Sequence, residues 1–193
     1  MTTILFARHG ETDWNRERRF QGHADPPLND RGREQAAELA GLLAGDGIRA
    51  VYSSPLRRAL ETAEIVADRL ELPVVSVEAL REINVGEWQA LTREEVQARY
   101  PEAFARWLDF ETGWTLGESY EELGARVLAA VRLIADAHPG ERVLLVTHGG
   151  PLRAMYAAAA GAPHAEVRRR MRAMVNCGVA RFELRDGALR ALD

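Results

Sequence analysis

Thr3-Ile4-Leu5-Phe6-Ala7-Arg8-His9-Gly10, early in the chain, and Arg142-Val143-Leu144-Leu145-Val146-Thr147-His148-Gly149-Gly150, late in it, share one design. Each is a short apolar, β-branched run that passes almost directly into His and then Gly. Such runs, too short for helices and closed by turn residues, read as buried strands over Thr3 to Ala7 and Arg142 to Thr147. Working outward, Asn29 to Gly45 reads as a helix with Ala36, Leu39, Ala40 and Leu43 on one face, Gly45 lying just past its end. Ala50 to Ser53 is a further strand, with Ser54 and Pro55 as N-cap and first-turn residues of a helix running to about Leu70. Pro73 to Val77 is another strand. Thr92 to His138 reads as helical, since Thr92 with Glu95 and Ser119 with Glu122 fit the reciprocal capping box. Gly149 to Ala160 forms a small-residue helix, and Val179 to Leu184 with Ala188 to Leu192 form a hairpin across Asp186 and Gly187. Strands alternating with helices predict an α/β fold: a mostly parallel sheet with helices on both faces.

The 193 residues, 47% hydrophobic and 28% charged, suit one compact domain over 1–193. The segment from about 82 to 120 interrupts the strand rhythm and carries Trp88, Trp107 and Trp114, so it reads as a helical lid or insertion, or as ordinary helical packing. A single cysteine, Cys177, excludes an internal disulfide. No apolar run is long enough for a membrane span or signal segment, which predicts a cytoplasmic protein with no membrane partner. With 25 cationic against 29 acidic residues the net charge is −4, which argues against a nonspecific nucleic-acid binder. All the cations are Arg. The absence of Lys excludes Schiff-base chemistry, a lysine nucleophile and the P-loop lysine.

Open α/β sheets bind ligands at the carboxyl ends of their strands. Arg8-His9-Gly10-Glu11-Thr12 follows the first strand, Ser53-Ser54-Pro55-Leu56-Arg57-Arg58 the second, Glu82 the third and His148-Gly149-Gly150 the fourth. Arginine forks grip phosphate bidentately, and two of them offset a phosphomonoester's charge. Arg57 and Arg58 in a helix's first turn oppose the helix dipole by about 0.3–1 kcal/mol each, a conflict that a bound anion removes. Gly149 and Gly150 permit close backbone approach and offer free amides to an anion. Two choices stay open at this level. Arg8 and His9 share a pocket only if the chain leaves extended geometry near Gly10, and spacing does not choose between Arg57 and Arg58, which diverge by about 100° around a helix.

Arg8-His9-Gly10-Glu11-Thr12-Asp13-Trp14-Asn15 resembles the N-terminal signature of the histidine phosphatase superfamily, in its phosphoglycerate mutase-like branch. Phe20-Gln21-Gly22, Pro27-Leu28-Asn29-Asp30-Arg31-Gly32, Ser54-Pro55-Leu56-Arg57-Arg58-Ala59, Gly117-Glu118-Ser119 and Thr147-His148-Gly149-Gly150 resemble further blocks of that family in family order. By this resemblance His9 is the nucleophile that takes the phosphoryl group, Arg8, Arg58 and His148 bind and stabilise it, and Glu82 is the proton donor and later the base that activates water. Asn15, Gln21, Gly22 and Gly149 fall at phosphate-pocket positions.

The resemblance implies a short-form phosphatase hydrolysing small phosphorylated metabolites through phosphohistidine, without metal or organic cofactor, and a homodimer as the assembly. The alternative is a cofactor-dependent phosphoglycerate mutase, which uses the same residues with 2,3-bisphosphoglycerate. A metal-dependent hydrolase built on His9, His148 and Glu82 is disfavoured because Arg8 and Arg58 repel a cation. Gln89-Ala90 after Trp88 replaces the Glu-Gly that such phosphatases often show, which bears on the substrate and not on the reaction. The Arg168 to Arg170 run with Arg172 reads as a solvated helix face, with substrate steering as the alternative, and Arg153 as a support to the site or a structural ion pair.

Overall fold

The computed structural model describes residues 1–171 and 174–192. In chain order the elements are β1 (Thr2–Arg8), α1 (Asp13–Arg16), α2 (Asp30–Leu43), β2 (Ile48–Ser53), α3 (Arg57–Leu70), β3 (Val74–Ser76), α4 (Arg93–Arg99), α5 (Pro101–Leu108), α6 (Tyr120–Ala137), β4 (Arg142–Thr147), α7 (Gly149–Ala160), α8 (His164–Arg170), β5 (Val179–Arg185) and β6 (Ala188–Ala191). They build one six-stranded sheet in the order β3-β2-β4-β1-β5-β6. The first four strands run parallel; β5 and β6 are antiparallel and close one edge as a hairpin. Its turn places Asp186 at φ 50 and Gly187 at φ 77, the conformation that favours Asp-Gly in two-residue hairpins.

Alternation along the central strands feeds two cores. Ile4 and Phe6 of β1 and Val143 and Leu145 of β4 face one apolar cluster, which includes Leu123 and Val127 of α6 and Leu152 and Met155 of α7. Leu5, Ala7, Leu144 and Val146 face the other, with Leu39 and Leu43 of α2 and Ala59, Ala63 and Val66 of α3. A side-chain period of two on strands buried on both faces therefore fixes which helices cover which side.

Local signals set several boundaries. The Asn29 side chain accepts the Gly32 amide at 2.8 Å and starts α2. Thr92 and Ser119 close capping boxes with Glu95 and Glu122 at the starts of α4 and α6. The stretch from Thr92 to His138 is nevertheless three helices. Pro101, with no amide hydrogen to donate, opens α5, and an irregular segment with Phe110 at φ 72 separates α5 from α6. Ser54 does not cap α3, which starts at Arg57 with Asp25 Oδ1 accepting the Arg57 amide at 2.6 Å. Among the described residues no helix is long and apolar enough to cross a membrane.

Candidate active site

The carboxyl ends of β1, β2 and β4 meet at a cavity of about 330 Å³ lined by Arg8, His9, Asn15, Gln21, Gly22, Arg58 and Glu82. β1 ends at Arg8, and the His9 amide donates to the Thr147 carbonyl at 2.9 Å. The strand ends at this point, and the side chains of Arg8 and His9 line one cavity. Gly10 is required there, because a Cβ at this position would lie 2.5 Å from the Gly32 carbonyl oxygen.

His9 is almost fully buried, and its Nδ1 lies 2.7 Å from the Gly10 carbonyl oxygen. A carbonyl only accepts, so Nδ1 carries the hydrogen and the lone pair lies on Nε2. Burial, followed by the positive charges of Arg58 and Arg8, holds the ring well below its ordinary titration range and keeps it neutral. His148 packs against it with ring centroids 5.1 Å apart. The Ser54 hydroxyl accepts the Leu56 amide at 3.3 Å and reaches His148 Nε2 at 2.8 Å. With the Ser54 hydroxyl as donor to Nε2, the hydrogen of the neutral ring sits on Nδ1. Nδ1 is buried with no protein partner among the described residues. Burial, and then Arg58, hold His148 well below the ordinary imidazole value.

Arg58, not Arg57, is the inward arginine: it is fully buried, with Nη1 donating to the Ala24 carbonyl at 2.7 Å and Nη2 to the Gly22 carbonyl at 2.9 Å, while Arg57 is exposed. Burial lowers its pKa to about 10 despite the opposing charges of Glu82 and Asp25. Arg8 donates from Nη1 to the Met174 carbonyl, and burial lowers its pKa against the pull of Glu82. The Nε atoms of both arginines are buried with no protein partner among the described residues. Asn15 closes the α1 capping box with Thr12 through Oδ1, leaving Nδ2 for the cavity. The Oε1 of Gln21 is likewise buried without a partner among the described residues.

Glu82 lines the same cavity. Its Oε1 accepts the Ile83 amide at 2.9 Å and the Gly150 amide at 3.0 Å. The Gly150 amide expected to face an anion is therefore occupied by Glu82. Gly149 opens α7 directly after the buried His148. Two readings that the sequence leaves open are narrowed. Arg153 lines the cavity and forms no ion pair among the described residues. In the basic run Arg169 and Arg170 are solvated, the latter paired with Glu166 at 2.8 Å, but Arg168 turns into the cavity; Arg172 lies outside the described residues.

Several further residues position these groups, and of them only Thr62 belongs with a motif block read in the sequence. Arg126 donates to the carbonyls of Ala79, Arg81 and Glu82 at 2.7–2.9 Å and pairs with Glu118 at 2.5 Å, holding the segment that presents Glu82. His23 Nε2 reaches the Glu82 carbonyl at 2.8 Å. Asn176 Nδ2 donates to the His9 carbonyl at 2.9 Å. Thr62 Oγ1 accepts the Gly10 amide and donates to the Arg58 carbonyl, tying two site residues together.

A neutral imidazole with a free Nε2, set among guanidinium groups at a sheet's carboxyl edge and facing a carboxylate, is the arrangement of an enzyme that moves phosphoryl groups through histidine. The sequence pattern of the histidine phosphatase superfamily (branch 1) matches residues 4–193, and the chain belongs to that family. It is 41% identical to phosphoglycerate mutase-like protein 4 of Arabidopsis thaliana over 95% of this chain and 80% of that protein. To phosphoserine phosphatase 1 of Hydrogenobacter thermophilus it is 36% identical, over 83% of this chain and 77% of the relative. Among solved structures it superposes on Bacillus stearothermophilus YhfR with a TM-score of 0.93 and 37% identity, covering 100% of this chain and 96% of that one.

Proposed function

We propose that this chain is a phosphomonoesterase that hydrolyses small phosphorylated metabolites through a phosphohistidine on His9. The observation that carries the reading is the Nδ1 to Gly10 carbonyl hydrogen bond, which leaves the lone pair of a neutral ring on Nε2. In the first step Nε2 attacks phosphorus, the N–P bond forms and the ester O–P bond breaks. Glu82 gives its proton to the departing oxygen. In the second, the Glu82 carboxylate takes a proton from water, whose oxygen attacks phosphorus, and the N–P bond breaks to release phosphate and the neutral imidazole. Arg8, Arg58, His148 Nδ1, Asn15 Nδ2 and Gln21 surround the phosphoryl oxygens, with Gly22 and Gly149 shaping the walls. Fixed donors of this kind supply the electrostatic stabilisation that phosphoryl transfer chiefly needs.

The cradle of arginines favours an anion over a cation, which supports a reaction without a metal, and we take the hydrolysis to use no organic cofactor. We take 1–193 as one domain whose 82–120 segment roofs the cavity as a lid, the cytoplasm as its compartment and a homodimer as its assembly. The relative described as mutase-like keeps one second reading, phosphoglycerate mutase with 2,3-bisphosphoglycerate. Phosphate release from a panel of phosphomonoesters, measured with excess EDTA, tests the proposal, alongside 3-phosphoglycerate with and without 2,3-bisphosphoglycerate. Metal-independent hydrolysis of one or more esters supports it. Interconversion of phosphoglycerates outrunning phosphate release would replace it with the mutase.

A further inference from the structure

The cavity carries more positive charge than a phosphoryl group alone consumes. Arg8, Arg58, Arg93, Arg153 and Arg168 all line it, and none of them takes part in an ion pair among the described residues. Among the described residues lining the cavity Glu82 is the only carboxylate, and its Oε1 is already held by two backbone amides. A phosphate dianion beside Arg8 and Arg58 leaves three guanidinium groups facing the leaving group.

Two of these three, Arg93 and Arg168, are held on aromatic rings. The Arg168 guanidinium lies 4.4 Å from the Trp107 ring centre, 5.3 Å from Phe110 and 5.9 Å from Tyr120. Its Nη1 donates to the Tyr120 hydroxyl at 3.2 Å. Arg93 lies over the same Trp107 ring at 5.4 Å. Stacking fixes the guanidinium planes while leaving donors unspent, and a planar fork suits a carboxylate or a second phosphate. The surrounding walls, Phe20, Ile83, Val85 and Trp114, are apolar or aromatic and suit a flat or hydrophobic leaving group.

We infer that the leaving group is a ring-bearing or similarly flat alcohol that carries its own negative charge and no ammonium, and that Arg168 is the residue that reads that charge. The inference rests on the phosphomonoesterase reading and goes further by assigning the substrate's chemistry. An ammonium, as in a phosphoamino acid, would meet three guanidinium groups and no free carboxylate among the described lining residues.

Three esters separate the contributions: phenyl phosphate, 3-(4-phosphonooxyphenyl)propanoate, which adds a carboxylate, and O-phosphotyrosine, which adds a carboxylate and an ammonium. Their Kd values are measured by calorimetry in His9→Ala protein, so that binding is read whether or not the native enzyme turns them over. The propanoate is expected to bind about tenfold more tightly than phenyl phosphate, the worth of one charge-assisted hydrogen-bond pair, and more tightly than phosphotyrosine. Adding Arg168→Met should bring the propanoate and phenyl phosphate to within about twofold, and Arg168→Lys should restore part of the gap. Equal binding of the three esters overturns the inference, as does a preference that survives Arg168→Met or phosphotyrosine binding as well as the propanoate. Absence of phosphate release from native protein, with these binding ratios intact, would instead count against the phosphomonoesterase reading.

Discussion

Glu82 and Gly150 occupy adjoining space with no room to spare: the carboxylate accepts the Gly150 amide at 3.0 Å, and a Cβ on residue 150 would lie 2.2 Å from Oε1. The glycine is thus demanded by the proposed acid/base group and not by the phosphate. Gly150→Ala should push Glu82 out of line with the leaving oxygen and lower kcat about 100-fold, as misplacement by about 1 Å does. Steady-state kinetics with a thermal-unfolding control checks this; a kcat within about threefold of native would show that Glu82 is not held in a productive position.

Ser54 stands behind His148 as Gly150 stands behind Glu82. With its hydroxyl removed in Ser54→Ala, Nε2 loses its donor at 2.8 Å and the ring is free to take the other tautomer. The Nδ1 proton proposed to meet a phosphoryl oxygen is then no longer guaranteed. A drop of about tenfold in kcat is expected, with KM moving less. Unchanged kinetics would remove His148 Nδ1 from the account.

Arg126 is a positioning residue, since its contacts are to the Ala79, Arg81 and Glu82 carbonyls and to Glu118. Arg126→Met strands those acceptors and leaves the half-buried Glu118 carboxylate unpaired. Urea denaturation should show a loss of about 2 kcal/mol, and kinetics a fall in kcat larger than any rise in KM. A variant with lower stability but native kcat would reduce Arg126 to a structural role.

Acidification should destabilise the protein below pH 6.5, and the sign follows from burial. Above the ordinary imidazole value of 6.5 the buried histidines are neutral in both folded and unfolded states and add no pH dependence. Below it the unfolded chain binds protons that the buried rings refuse, so stability falls as the pH falls. For His164 the cause is burial with Arg153 and Arg168 nearby, which lowers its pKa to about 4 and sets a window from pH 6.5 down to about 4. Its ring stacks on Tyr120 at 3.9 Å between centroids, a contact that phenylalanine can keep. His164→Phe should therefore shrink the stability difference between pH 7 and pH 5 by about 1 kcal/mol, read by urea denaturation at both values. An unchanged difference would mean that His164 protonates freely in the folded protein.

The parts of the fold written in local pattern were legible before any coordinates. The strand end at Thr147, that of β1 to within one residue of Ala7, the Asn29 cap, the two capping boxes and the Asp186-Gly187 turn each depend on residues close in sequence. What escaped depends on contacts between distant segments. Ser54-Pro55 looks like a helix start, yet Asp25 from another loop caps that helix and frees Ser54 for His148. Glycines at 149 and 150 looked like an anion nest until Glu82 filled the second position. Arg126 and Asn176 serve the site only because α6 and the segment before β5 pass beside it. The helical stretch from 92 is broken where the Gly113 backbone packs against the Trp88 ring, so closely that a Cβ would meet it at 2.2 Å. Arg168 looked solvated because helical spacing does not reveal that Trp107 and Phe110 lie across the cavity.

The most direct test is to trap the intermediate. Native protein mixed with a ³²P-labelled ester that it hydrolyses, then quenched in base, should carry label that is stable in base and lost in acid. Peptide mapping should place it on His9, and ³¹P NMR of the denatured protein should show phosphorus on Nε2. Phosphate release without such label, or label confined to a residue other than His9, would contradict the account.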